Sequence, residues 1–196
     1  MDVSPDRDRA VHTVTDAKAL AAMANPFRSR ILDALAVDGP STASALAQRT
    51  GQAVGSASHH LKVLAEAGLV TEAPELARDK RERWWRRVAP STRWSRAEFA
   101  GDPAAVTAAM AAESLGLQRM YDHARAWLAN SEEAGGEWNS AAFSTQTWLK
   151  LTPAELHQLG EEIVAVVNRW RHRDVPDDAV ERESVLIAAR GFPAQP

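Results

Sequence analysis

Four breaks divide residues 16–68 into pieces: Asn25-Pro26, Asp38-Gly39-Pro40, Gly51 and Gly68. No piece between them is long enough to hold a stable helix alone, so helices here must bury apolar faces against one another. The spacing predicts a short Ala-rich helix over 16–23. A second runs over 26–37, capped by Asn25 and opened by Pro26, whose missing N–H costs nothing in a first turn. Phe27, Ile31, Leu32 and Leu35 share its inner face. Thr42 caps a third helix to residue 50 that buries Ala45 and Leu46 and the stem of Arg49. Gly51 makes the tight turn into a fourth helix over 53–67, with Ala57, Leu61 and Leu64 inward.

After Gly68 the rhythm changes. Residues 69–71 and 82–88 read as two strands around a polar stretch at 73–81, and Trp84 and Trp85 point to opposite faces of the second. One of the two tryptophans is expected to pack on the helices. Helix, helix, turn, helix, hairpin is the order of a winged helix–turn–helix domain. Residues 89–92 (APST) read as a linker.

The second half opens at Gly101-Asp102-Pro103 with a long helix to Asn130, striped by Val106, Met110, Leu117, Tyr121, Ala124 and Leu128. A loop follows at 131–142. Residues 143–151 alternate as a strand, with Phe143, Leu149 and Leu151 on one face. Thr152-Pro153-Ala154-Glu155 is a capping box with proline at the first helical position. The helix it starts is expected to bury Leu156, Leu159, Ile163, Val166, Val167 and Trp170. Residues 184–189 (SVLIAA) read as a final strand beside the first. The expected fold class is mainly α with small β: a winged helix–turn–helix domain, then a helical dimerisation or effector region with a short βαβ segment. The expected division is a frayed tail at 1–15, a winged-helix domain at 16–92 and a second domain at 93–196.

The 196 residues include no cysteine, which excludes disulfides, iron–sulfur clusters, thiolate zinc sites and cysteine nucleophiles. The first ten residues lack the apolar core of a signal peptide, and no apolar run approaches the ~18 residues needed to cross a bilayer. A cytoplasmic protein without membrane contact is the expectation. The net charge of −3 conceals a division: residues 20–96 carry 12 basic and 7 acidic side chains, and residues 97–196 carry 8 and 15. A basic first half fits a polyanion-binding module joined to an acidic partner domain.

The segment 20–88 resembles the winged-helix repressors of the ArsR type. The resemblance rests on Asn25-Pro26, Arg28, Arg30-Ile31-Leu32, Gly39-Pro40 and Leu46-Ala47, then on Ser58-His59-His60-Leu61-Lys62-Val63-Leu64 closing on Ala67-Gly68-Leu69-Val70. The run ARDKRERWWRR stands where such proteins place the wing. The resemblance implies a sequence-specific DNA-binding transcriptional regulator, a homodimeric repressor, with double-stranded DNA and a second copy as partners.

The residues support this reading on their own chemistry. A helix entering the major groove needs small or polar side chains outward and apolar ones behind. In the fourth helix Ser56, His59 and Lys62 share a face opposite Leu61 and Leu64, with Thr42, Gln52, Val54 and Ser58 nearby. Arg78, Lys80, Arg81 and Arg83 cluster in the hairpin, placed to meet phosphates or a minor groove. The chain departs from the family where the recognition helix usually begins with a serine cap. Here stand Ala53, Val54 and Gly55, so base reading leans on Ser56, His59, Gln52 and an apolar contact from Val54 to a thymine methyl.

No metal or cofactor is expected: the six histidines lack the paired helical spacing of a nitrogen–oxygen metal site. Nor is an enzyme, since GxSxG, P-loop, GxGxxG and HExxH patterns do not occur. Tyr121, Trp127, Phe143, Trp148 and Trp170 are the residues that would line a pocket for a small apolar effector, or fill a core or dimer interface instead. Two alternatives therefore accompany the regulator: a ligand-responsive switch, and a degenerate winged helix that binds proteins.

Overall fold

The computed structural model describes residues 12–79, 82–89, 92–94, 99, 101–131 and 135–195. Helix α1 (Ala17–Met23) is capped by Asp16, whose carboxylate accepts from the Lys18 N–H, and α2 (Pro26–Val37) by Asn25, which accepts from Phe27 and Arg28. The corner between them is held by side chains of α2 that reach back. The Arg28 guanidinium donates to the carbonyls of Ala22 and Ala21 at 2.6 and 3.0 Å, and the buried Ser29 hydroxyl donates to Met23 O at 2.9 Å. These bonds satisfy the carbonyls that the end of α1 leaves without helical partners.

Helix α3 (Ala43–Thr50) starts at the Thr42 cap and ends at Gly51, at φ +67°, a left-handed position that glycine takes without steric cost. Helix α4 (Val54–Glu66) seats Ala57, Leu61 and Leu64 at 0% exposure, with Leu61 and Leu64 in one core with Leu20, Ile31, Leu35 and Leu46. Strands β2 (Ser41–Thr42), β3 (Val70–Glu72) and β4 (Trp84–Arg87) form one antiparallel sheet in the order β2-β4-β3, with Ser41 opposite Trp85 and Val70 opposite Arg87. Trp85 is the tryptophan of the pair that enters the core. Strand β2 escaped the sequence reading because two residues show no alternation. A second parallel pair joins β1 (His12–Thr13) to β5 (Thr92–Arg93), and Val14 after it is buried. Residues 12–14 are thus part of the folded unit, whereas residues 1–11 and, in the 89–92 linker, residues 90 and 91 lie outside the described residues.

Three helix faces differ from expectation. Phe27 is 40% exposed and stacks on His60 of α4, and α3 buries Leu46 and Ala47 while Ala45 faces solvent. In α5 (Pro103–Asn130) the buried side chains are Ala105, Ala109 and Ala112; Met110, Leu117, Tyr121 and Leu128 are exposed. Small side chains let that helix approach the first core closely, and the larger apolar stripe is left facing outward.

The chain divides into two compact units, one ending at Tyr121 and one starting at Asp122. The second contains α6 (Gly136–Ala141), a helical turn inside the expected loop, and α7 (Pro153–Arg171). The capping box is present: Thr152 Oγ1 accepts from the Glu155 N–H, and Glu155 accepts from the Thr152 N–H at 2.7 Å, which holds its carboxyl below the usual range. The expected βαβ segment is not formed: neither 143–151 nor 184–189 pairs as a strand, and α7 buries none of its six apolar side chains. Alternating apolar residues specify a strand only where a neighbouring edge accepts its hydrogen bonds, and here neither run is paired to one.

His60 titrates within this packing. Its Nδ1 is buried without a hydrogen-bond partner, and burial, followed by the nearby Arg28 and His59, lowers its pKa from the ordinary histidine value. The folded state thus binds this proton more weakly than the unfolded chain, so stability is full above about pH 6.5 and declines as pH falls below it. Denaturant midpoints measured from pH 7.5 to 5 are expected to fall in the native protein and to fall less in His60→Leu. Leu61→Ala, which opens a cavity in the first core, should cost roughly 2–5 kcal/mol in the same measurement, and Asn25→Ala about 1 kcal/mol.

Candidate nucleic-acid interface

The seating of α4 decides which of its side chains meet solvent. With Ala57, Leu61 and Leu64 turned inward, Val54, Gly55, Ser56, His59 and Lys62 are exposed, and Ser58 is half-buried. Lys62 has no ion-pair partner among the described residues, so its ammonium is available to an external anion. Ala53 stands at the N-cap with no side-chain cap bond, so the first N–H groups of α4 open to solvent at the positive end of the helix dipole. The surface at Gly55 is open as well: a Cβ added there would meet nothing within 4 Å.

Gln52 and Ser56 are tied together, the Ser56 hydroxyl donating to Gln52 Oε1 at 3.2 Å while Gln52 Nε2 donates to Thr50. Both are therefore pre-positioned at the start of α4. Thr42 spends its hydroxyl on capping α3, accepting from the Ala45 N–H at 3.3 Å, which leaves it a structural role whatever else it touches.

Beside this face runs a ladder that the sequence reading missed. The Arg30 guanidinium lies 4.8 Å from the Phe27 ring centroid, Phe27 stacks on His60 at 5.9 Å, and His60 meets His59 at 5.6 Å. A cation over an aromatic face is fixed in place at modest cost. The ladder adds an exposed arginine from α2 beside the histidines of α4. Its signal was present as Phe27 and Arg30 one helical turn apart, but Phe27 was assigned inward.

The wing is less cationic than its arginines suggest. Arg83 pairs with Glu72 at 3.5 Å, Arg86 pairs with Glu75, and the Arg78 backbone N–H donates to Glu82 at 2.9 Å. That last bond holds the Glu82 carboxyl below the usual range. Glu72, Arg78, Asp79, Glu82 and Arg83 line an open cleft of about 560 Å³ under the wing. Arg78 and Arg83 are exposed; Lys80 and Arg81, the other two wing cations, lie outside the described residues.

The aromatic residues considered for an effector pocket stand toward solvent. Tyr121, Phe143, Trp148 and Trp170 are 58–76% exposed, and Trp127 is half-buried. Among the described residues no group of three metal-binding side chains comes together, and no helix is long and apolar enough to cross a membrane.

Residues 23–73 match a family model described as a helix-turn-helix domain. Two solved structures are similar at low TM-score. One is the homodimeric winged helix-turn-helix DNA-binding domain of a possible ArsR-family transcriptional regulator from Mycobacterium bovis, at 23% identity and a TM-score of 0.35, covering 58% of this chain and 82% of that one. The other is ZitR of Lactococcus lactis, at 18% identity and a TM-score of 0.31, covering 74% and 75%. No curated protein sequence matches. The matched segment spans α2, α3, α4 and the first wing strand, in the helix-and-sheet order on which the sequence resemblance rested. Residues 23–73 of the first unit are thus similar to helix-turn-helix domains, and the small sheet of β2, β4 and β3 adjoins them.

Proposed function

We propose that the chain is a homodimeric transcriptional repressor, without catalytic activity, that inserts α4 into the major groove. The observation that carries this reading is the two-sidedness of α4: Leu61 and Leu64 are fully buried, while Ser56, His59 and Lys62 face solvent on the opposite side. A helix held this way presents a fixed set of hydrogen-bonding groups to base edges. Gln52 and Ser56, tied to each other, approach the bases first, and His59 follows one turn later. Lys62 and the open N-terminus of α4 meet phosphates, which position the domain without reading sequence. Two copies would place their recognition helices ~34 Å apart in successive grooves of a near-palindromic site. The exposed apolar stripe of α5, Met110, Leu117, Tyr121 and Leu128, favours that helix as part of the contact between copies.

The wing adjusts affinity through its own carboxylates. Glu72 and Glu75 compete with phosphates for Arg83 and Arg86, so each wing contact replaces an internal ion pair rather than creating a new one.

Fluorescence anisotropy on a site selected from random DNA, at two salt concentrations, tests the reading. Lys62→Ala should weaken binding to every sequence and reduce the slope of log affinity against log salt by about 0.9. His59→Ala should reduce preference for the selected site over random DNA. Glu72→Gln with Glu75→Gln should tighten binding to random DNA and steepen the salt slope. Unchanged binding in both the Lys62 and His59 variants would remove α4 from the groove.

A further inference from the structure

From Asp122 onward none of the described side chains is buried. Trp138, Phe143, Trp148, Trp170 and Phe192 are 38–76% exposed; at ~200 Å² each they show on the order of 600 Å² of aromatic surface to water. That approaches the ~800 Å² per partner of a stable interface before any aliphatic residue is added. The same unit leaves backbone groups open. No hydrogen bond among the described residues involves the backbone N–H or C=O of 143–151 or 183–195, a costly state for groups that are to be covered by apolar side chains.

The pattern of these two runs identifies what covers them. Val185, Leu186, Ile187, Ala188 and Ala189 are continuously apolar, as in a strand covered on both faces, whereas 143–151 is apolar on one face. A strand of the first kind lies inside a sheet, with a neighbour on each edge and a cover on each face. This unit offers one other such run and one helix of more than two turns wholly within it, α7, whose Ile163, Val166 and Trp170 are exposed. One copy thus supplies one neighbour and one cover where two of each are needed, and two-fold symmetry supplies the others in equal number. Charge agrees. Lys150 and Arg190 are the only charged residues in 143–151 and 184–192, and the unit's 12 acidic residues all lie outside these runs.

We propose that residues 143–151 and 184–190 of two copies pair into one shared sheet covered by both α7 helices, so that the second unit acquires its core only in the dimer. This rests on the homodimeric reading above and names the element that makes it obligatory for folding of that unit.

Hydrogen exchange on the full chain, measured alongside sedimentation over a dilution series, tests it. Amides of both runs should be protected in the dimer and lose protection in step with dissociation. Ile187→Lys should weaken dimerisation at least tenfold and abolish protection of both runs, while amides around Leu61 and Leu64 stay protected and report an intact first unit. A dimer whose two runs exchange freely overturns the shared sheet and leaves the dimeric regulator standing. Protection that persists in the diluted monomer assigns the sheet to one chain and overturns it. So does protection that a monomer gains only on adding an apolar probe such as decanoate. A monomer at every concentration overturns both readings.

Discussion

The inner face of α4 is the constraint on which the rest of the first unit depends. Ala57, Leu61 and Leu64 leave no accessible surface, and each contributes on the order of 1–3 kcal/mol of burial depending on its size. Rotating the helix by one residue would exchange these groups for Ser58, Lys62 and Ala65 and bury a lysine without a partner. The orientation of Ser56, His59 and Lys62 is therefore set from behind. The same logic explains why α4 tolerates an uncapped start: packing, rather than its N-cap, holds the helix.

Charge is arranged differently on α4 and on the wing. On α4 Lys62 has no ion-pair partner among the described residues and the helix start is open, so contact of an anion there requires none of the described ion pairs to break. On the wing, Glu72, Glu75 and Glu82 already engage arginines or their backbone. Exposed pairs of this kind are individually weak, so phosphates can displace them. On the proposed reading they reduce the sequence-independent attraction that an unopposed arginine ribbon would exert, and so leave more of the binding to contacts made by α4.

The two units meet the same hydrophobic composition with opposite outcomes. In the first, Leu20, Ile31, Leu46, Leu61, Leu64 and Trp85 converge from helices and sheet into one core. In the second, tryptophans and aliphatic residues of comparable number stay in solvent, and two strand-like runs lack paired edges. Small units that cannot bury enough surface alone acquire stability by association.

Local signals in the sequence determined these helix limits, because each is set within a few residues: Asn25 with Pro26, Thr42 and Gly51 in the first unit, and the Thr152–Glu155 capping box in the second. Periodicity also located the inward residues of α4, whose apolar and polar faces are cleanly separated. It failed where both faces carry apolar groups, as in α5, where alanines rather than the larger stripe face the core, and at Phe27, which serves a ladder with Arg30 and His60. The pairing of β2 with β4, the bonds from Arg28 across the helix corner and the neutralised wing arginines join residues far apart in the chain or on different elements, and only the tertiary structure decided them. The strand pattern of 143–151 and 184–189 marks the boundary between the two kinds of knowledge. Alternation states which face of a strand is apolar, but a strand exists only when another edge accepts its hydrogen bonds, and where that edge lies is a property of the folded assembly.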